Sequence, residues 1–150
     1  MTDCNIFQQE ACRLPAAEAI ALANRLLRDC LLHAPAAVSE ITTHLAQAVG
    51  KGMRAEMLIY CAADAQGLVS PDAANAAAAI ELLHLATLVH DDVIDDAPLR
   101  RGIASAHSRF GKKRAVITGD YLLCAAMKML LEVQAEQDKL PDRQLWPRYA

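Results

Sequence analysis

An all-α fold is what this sequence predicts, and three observations carry the prediction. Alanine abounds while aromatic residues make up only 4% of the 150 residues, which favours helix, because alanine is the best helix former and a poor strand residue. Apolar residues recur at helical spacing between recognisable start and stop signals. No stretch alternates apolar and polar residues in the manner of a half-buried strand.

The elements follow in order. Pro15 suits a first helical turn, where its missing N–H is not needed, and AAEAIALANRLLRDCLL then offers a stripe of Ile20, Leu22, Leu26, Leu27 and Leu31. Ala34-Pro35 breaks that helix. AAVSEITTHLAQAV, residues 36–49, reads as a second helix ending near Gly50. The polar turn GKGMR leads to a third over about residues 55–65, stopped at Gly67. Ser70-Pro71-Asp72 combines a capping hydroxyl, a proline and an acid in the first turn. The helix it starts can run to about residue 96, because Pro98 disfavours helical geometry at Ala97. A loop, RRGIASAHSRFGKK, precedes a last helix over residues 114–137. Gly119 lies inside it, at a cost of about 1 kcal/mol relative to alanine unless close packing needs it. Residues 138–150 form a poorly patterned tail, and residues 1–150 as a whole make one domain.

Bulk composition excludes several functions. A net charge of -3 supplies no basic field for nucleic acid or an anionic membrane, so any anion must be held by a local cluster. Five cysteines are scattered without CxxC spacing, and the amino terminus has neither a basic start nor an apolar run. The expectation is therefore reduced, buried thiols in a soluble cytoplasmic protein. Residues 73–89 are the most apolar region, but Glu81 and His84 interrupt them, and no transmembrane segment is expected.

The chemistry concentrates in HDDVIDDAPLRRG, where four aspartates fall within six residues. On a helix Asp91 and Asp95 are i and i+4, about 40° apart, with Asp92 beside them. The last turns of a helix disfavour carboxylates, and like charges at this spacing repel. A divalent cation reverses each of those terms, and oxygen-only ligands suit Mg²⁺ completed by water and phosphate. A plainer reading is a solvated patch in which Arg100 and Arg101 neutralise the acids. His84 lies two turns earlier on nearly the same stripe, either as a satisfied core residue or as a ligand group. Lys51 and Arg54 sit on a glycine-bounded turn whose backbone can approach an anion. Together these residues describe a metal site for one polyphosphate and a cationic nest for another.

HLATLVHDDVIDDAPLRRG resembles the first aspartate-rich DDxxD motif, with its trailing RRG, of the trans-isoprenyl diphosphate synthases, the polyprenyl synthetase family. GKGMR resembles that family's GGKRxRP turn, AAAIELLH its helix leading to the histidine, and FGKKRAVITGDYLL its FGxxxAVLxGDxLL element. The resemblance spans about residues 20–135 and is closest to the medium- and long-chain polyprenyl synthases. It implies the amino-terminal half of the antiparallel isoprenoid synthase bundle. It implies that Asp91, Asp92 and Asp95 hold Mg²⁺ against an allylic diphosphate, with Arg100 contacting the same group. Lys51, Arg54, His84 and Arg101 would hold the diphosphate of isopentenyl diphosphate. The reaction implied is ionisation of the allylic diphosphate, attack by isopentenyl diphosphate and loss of a proton, with water excluded. Two positions depart from the pattern: Gly52 stands where an arginine is expected, and Ala55 where a proline is.

Family products grow beside the aspartates, past side chains about one turn earlier. Here those are Ala86 and Thr87, on the order of 6 to 8 Å from Asp91 along the axis. Neither is aromatic, which points to a medium- or long-chain product; the alternative is that both merely pack against a neighbouring helix. Family enzymes are longer and carry a second aspartate-rich motif, so this chain is expected to need a carboxy-terminal half or a partner subunit. The family also dimerises through the helix corresponding to about residues 114–136. Rival readings are an inactive subunit of a two-component prenyl synthase, a terpene cyclase fragment, and an HD-type metal phosphohydrolase. His33 and His44 read as surface residues.

Overall fold

The structure is a computed structural model describing residues 13–48 and 50–138. In chain order it forms β1 (Leu14–Pro15), α1 (Ala16–Leu32), α2 (Ser39–Ala46), α3 (Met53–Ala62) and β2 (Leu68–Val69). There follow α4 (Pro71–Ile94), β3 (Leu99–Arg100), β4 (Ile103–Ala104), α5 (Ala106–Phe110) and α6 (Lys112–Asp138). The tail beyond residue 138, with Cys4 and Cys12, lies outside the described residues.

α4 is the central element, packed most extensively on α6 and also on α1 and α3. Its start is secured as the sequence predicts: Pro71 opens the helix, and the Ser70 hydroxyl accepts the Asp72 N–H at 3.2 Å. The first half of α4 buries Ala73, Ala74, Ala77 and Ala78 against Ala19 and Ala23 of α1 and Ile59 of α3. These small side chains let helices approach closely. The second half buries Leu82, Ala86 and Val89 against Leu27, Leu31, Ile41, Leu45 and Leu122. The α1 stripe is therefore rotated from expectation. Leu27 and Leu31 are buried, but Ala19 and Ala23 go deepest at its other end, and Ile20, Leu22 and Leu26 lie half-buried. α4 is long and apolar enough to cross a membrane by length and composition only, and 44% of that stretch is buried among its neighbours.

Helix ends moved for local reasons. α2 begins at Ser39 rather than at residue 36, because the Pro35 carbonyl takes the N–H groups of both Val38 and Ser39 in a turn. α3 begins at Met53, immediately after Gly52 in the left-handed region at φ 68°. It ends at Ala62, where Asp64 draws the N–H groups of Gln66 and Leu68 onto its side chain, each at 2.9 Å. The short strands escaped the sequence reading: β1 pairs antiparallel with β2, and β3 with β4. Two-residue strands are too brief to alternate.

Inside α6, Gly119 has the packing reason its cost required. A Cβ there would lie 2.2 Å from His90 Nε2, an impossible contact. His90 instead sits against the helix, 3.2 Å from the Val116 carbonyl and 3.4 Å from an Asp120 oxygen.

Candidate functional site

The four aspartates ending α4 meet different surroundings. Asp91 and Asp95 are exposed, share one face of the helix, and make no ion pair among the described residues. Asp92 is only 3% exposed. Its carboxylate takes two bonds from Arg100, whose Nε donates to Oδ2 at 2.8 Å and Nη2 to Oδ1 at 2.7 Å. That pairing, the fork geometry in which arginine matches a carboxylate, raises the Arg100 pKa. Asp96 turns away at φ 53° and pairs with Lys112 at 2.8 Å. The Lys112 bond holds its carboxyl below the usual range.

The expected trio is thus divided. The structure brings Asp91 and Asp95 together and withdraws Asp92, and among the described residues no three His, Cys, Asp or Glu side chains converge to hold an ion. The reason is electrostatic: a carboxylate buried this deeply needs a charged partner, and Arg100 provides it. The remaining pair still fits Mg²⁺, which characteristically takes one or two carboxylates and fills its shell with water and phosphate oxygens.

A few residues away lies an open basin of about 500 Å³, lined by Lys51, Arg54, His84 and Arg101 together with Glu81 and the glycine turn. Basic residues from three separate segments of sequence, Lys51 and Arg54, His84, and Arg101, therefore meet. Arg100, adjacent in the chain, points to Asp92 instead. Arg101 adopts a left-handed φ of 50°, and its Nη1 donates to the Ala48 carbonyl at 2.9 Å. Its guanidinium rests over Gly50, where a Cβ would come within 2.5 Å of it. Gly52, which replaces the expected arginine, is buried and left-handed, and a Cβ there would stand 3.3 Å from Asn24 Oδ1. His84 titrates below the ordinary histidine value, first through burial and then through Arg54, with Glu81 opposing.

Glu81 is the residue the sequence reading passed over. It is nearly buried, and one oxygen, Oε1, accepts the N–H groups of Arg54 at 3.0 Å and Ala55 at 3.1 Å. It thereby caps α3, whose own cap residue is Gly52 with no side chain to offer. The signal was present: an acid in the apolar run AAAIELLH, where a buried carboxylate needs a partner.

Ala86 and Thr87 separate. Ala86 is 2% exposed and packed in the core, facing away from the acids, whereas Thr87 is exposed on the Asp91 face with its hydroxyl bonded to the His84 carbonyl. Inward of Asp92 and Arg100 a partly open cavity of about 40 Å³ remains, room for only a few waters. Two lesser expectations are corrected. His44 is buried, its ring 2.8 Å from the Ala104 carbonyl and 3.2 Å from Arg109, while His33 is exposed as expected. Cys61 and Cys124 are exposed rather than buried, and Cys30 is intermediate.

The polyprenyl synthetase family model matches residues 35–143. An all-trans-nonaprenyl-diphosphate synthase (geranyl-diphosphate specific) of Rhodobacter capsulatus is 34% identical over 119 residues, covering 79% of this chain and 37% of that protein. A heptaprenyl diphosphate synthase component 2 of Geobacillus stearothermophilus is 38% identical over 96 residues, 64% of this chain and 30% of that one. Among solved structures, a polyprenyl synthase of Caulobacter crescentus CB15 complexed with calcium and isoprenyl diphosphate superimposes with a TM-score of 0.69 at 36% identity. That alignment covers 78% of this chain and 35% of the other. The chain therefore spans about a third of the length of these relatives.

Proposed function

The chain belongs to the polyprenyl synthetase family, and from that premise we propose that it is the amino-terminal part of a trans-polyprenyl diphosphate synthase. Such an enzyme adds isopentenyl diphosphate to an allylic diphosphate. The observation that carries the reading is the juxtaposition of two unlike anion sites: a pair of outward carboxylates, Asp91 and Asp95, beside a basin of Lys51, Arg54, His84 and Arg101. One suits a diphosphate brought with a divalent ion, the other a diphosphate held by cations directly.

Mg²⁺, when bound, would neutralise charge on the departing diphosphate. Asp91 and Asp95 would hold it, and Arg100, steadied by Asp92, would stand beside the same group. The basin would hold isopentenyl diphosphate, its four basic residues oriented by the glycine turn and by the Arg101 bond to Ala48. The cavity of about 40 Å³ is too small for a prenyl chain, so the growing product would lie along the open face of α4 past Thr87. Thr87 on that face is not aromatic, which favours a medium or long product.

A homodimer through α6 is part of the proposal. Val116, Ile117, Met127 and Leu131 are exposed along it, and an apolar groove of about 540 Å³ opens beside Leu123 and Met127. So is a cytoplasmic setting, supported by the free thiols of Cys30, Cys61 and Cys124, which oxidising compartments disfavour. A second reading, one subunit of a two-chain synthase without activity alone, is favoured by the match to a protein named component 2.

The first test is thermal. Inorganic pyrophosphate with Mg²⁺ raises the melting temperature, because a ligand of the folded state stabilises it. In the Asp91→Ala, Asp95→Ala double variant the increment due to Mg²⁺ disappears. No shift with millimolar amounts of both would count against the reading. Mixing the chain with a candidate second component and assaying prenyl transfer separates the two versions.

A further inference from the structure

We propose that Glu81 is a positioning residue for the basin, fixing its geometry by hydrogen bonding and limiting by its charge how tightly it holds an anion; this rests on the basin being a diphosphate site. The argument begins with the α3 terminus. A helix start offers free N–H groups and a positive dipole, a natural seat for phosphate. Here Gly52 provides no cap, and the Glu81 carboxylate takes the Arg54 and Ala55 N–H groups from 27 and 26 residues away. The helix terminus is thus already occupied by an anion of the protein itself. A diphosphate entering the basin therefore finds these two N–H groups already taken.

The same two bonds tie the first turn of α3 to the middle of α4. Arg54 belongs to α3 and His84 to α4, one turn beyond Glu81, so the tie sets their separation across the basin. Among the residues lining the basin, Glu81 is the one carboxylate. It lines the basin together with Lys51, Arg54 and Arg101, and a bound diphosphate would experience its repulsion at close range.

The two roles separate by substitution. Glu81→Gln keeps a carbonyl oxygen able to accept both N–H groups and removes the charge. Glu81→Ala removes both. Pyrophosphate binding is measured by calorimetry on the 150-residue chain at pH 8, where His84 is neutral in every variant, with circular dichroism confirming the helical content. The expected result is that Glu81→Gln binds roughly three- to tenfold more tightly than the parent, while Glu81→Ala binds more weakly than the parent. Equal or weaker binding by Glu81→Gln, or undiminished binding by Glu81→Ala, overturns the proposal. If Glu81→Ala fails to fold, Glu81→Gln alone decides. A parent chain that binds no pyrophosphate even at millimolar concentration defeats the diphosphate reading itself, a distinguishable result.

Discussion

His84 is the residue whose state depends most on what occupies the basin. Burial and the neighbouring Arg54, Arg101 and Arg100 hold its pKa below 6.5, against the opposing charge of Glu81. The unfolded chain therefore binds more protons than the folded one in the ordinary histidine range. Stability of the empty protein is present above that range and falls as pH drops through it. A bound diphosphate adds negative charge and favours the imidazolium. We expect NMR titration to show the His84 pKa moving up when pyrophosphate is added, and binding to strengthen between pH 8 and 6; an unmoved or lowered pKa would contradict this. At Gly119 the expectation is a steric one. Gly119→Ala gains helix propensity worth about 1 kcal/mol, but pushes the half-buried His90 ring off its contacts with the Val116 carbonyl and Asp120. A net loss of about 1 to 3 kcal/mol in urea unfolding is the expected balance. Single residues were unevenly legible. The acids, Lys51, Arg54 and His84 announced themselves by charge and spacing, whereas the assignment of Arg101 rather than Arg100 to the basin came from the family resemblance. The withdrawal of Asp92 onto Arg100 did not, since no sequence pattern distinguishes a ligand carboxylate from one about to be buried beside a guanidinium.

Elements were legible where their ends carry their own chemistry. Ser70, Pro71 and Asp72 act within one turn, and the start of α4 agrees with expectation. Ser70→Ala should cost about 1 kcal/mol, read as a lowered denaturant midpoint with unchanged slope. Where an end is decided from afar, the reading slipped. The start of α3 depends on Glu81 and on the left-handed Gly52, and the delayed start of α2 on a turn closed by the Pro35 carbonyl. The segment read as a loop after α4 holds instead a tight hairpin, β3 and β4, followed by α5, which is capped by Ser105. Short elements of this kind are made by hydrogen bonds among a handful of residues, and periodicity has no purchase on them.

For the molecule as a whole, the all-α architecture followed from composition, but which faces remain uncovered did not. Met127 is 49% exposed and Leu131 60%, on the same side of α6. Exposed apolar stripes of this kind favour association. Met127→Glu combined with Leu131→Glu should convert a dimer to a monomer in sedimentation experiments while leaving helical content intact. A parent chain that sediments as a monomer at tens of micromolar would remove the proposal of self-association. The hairpin that follows α4 has a last implication. Arg100 is committed to the acid side and Arg101 to the basin, yet the two are consecutive, their α-carbons about 3.8 Å apart. In the proposed enzyme a single peptide unit would therefore set the spacing between the two diphosphates. Lengthening the chain by one glycine at that joint keeps every charge, yet should abolish coordination between the two halves of the reaction before it abolishes either binding event.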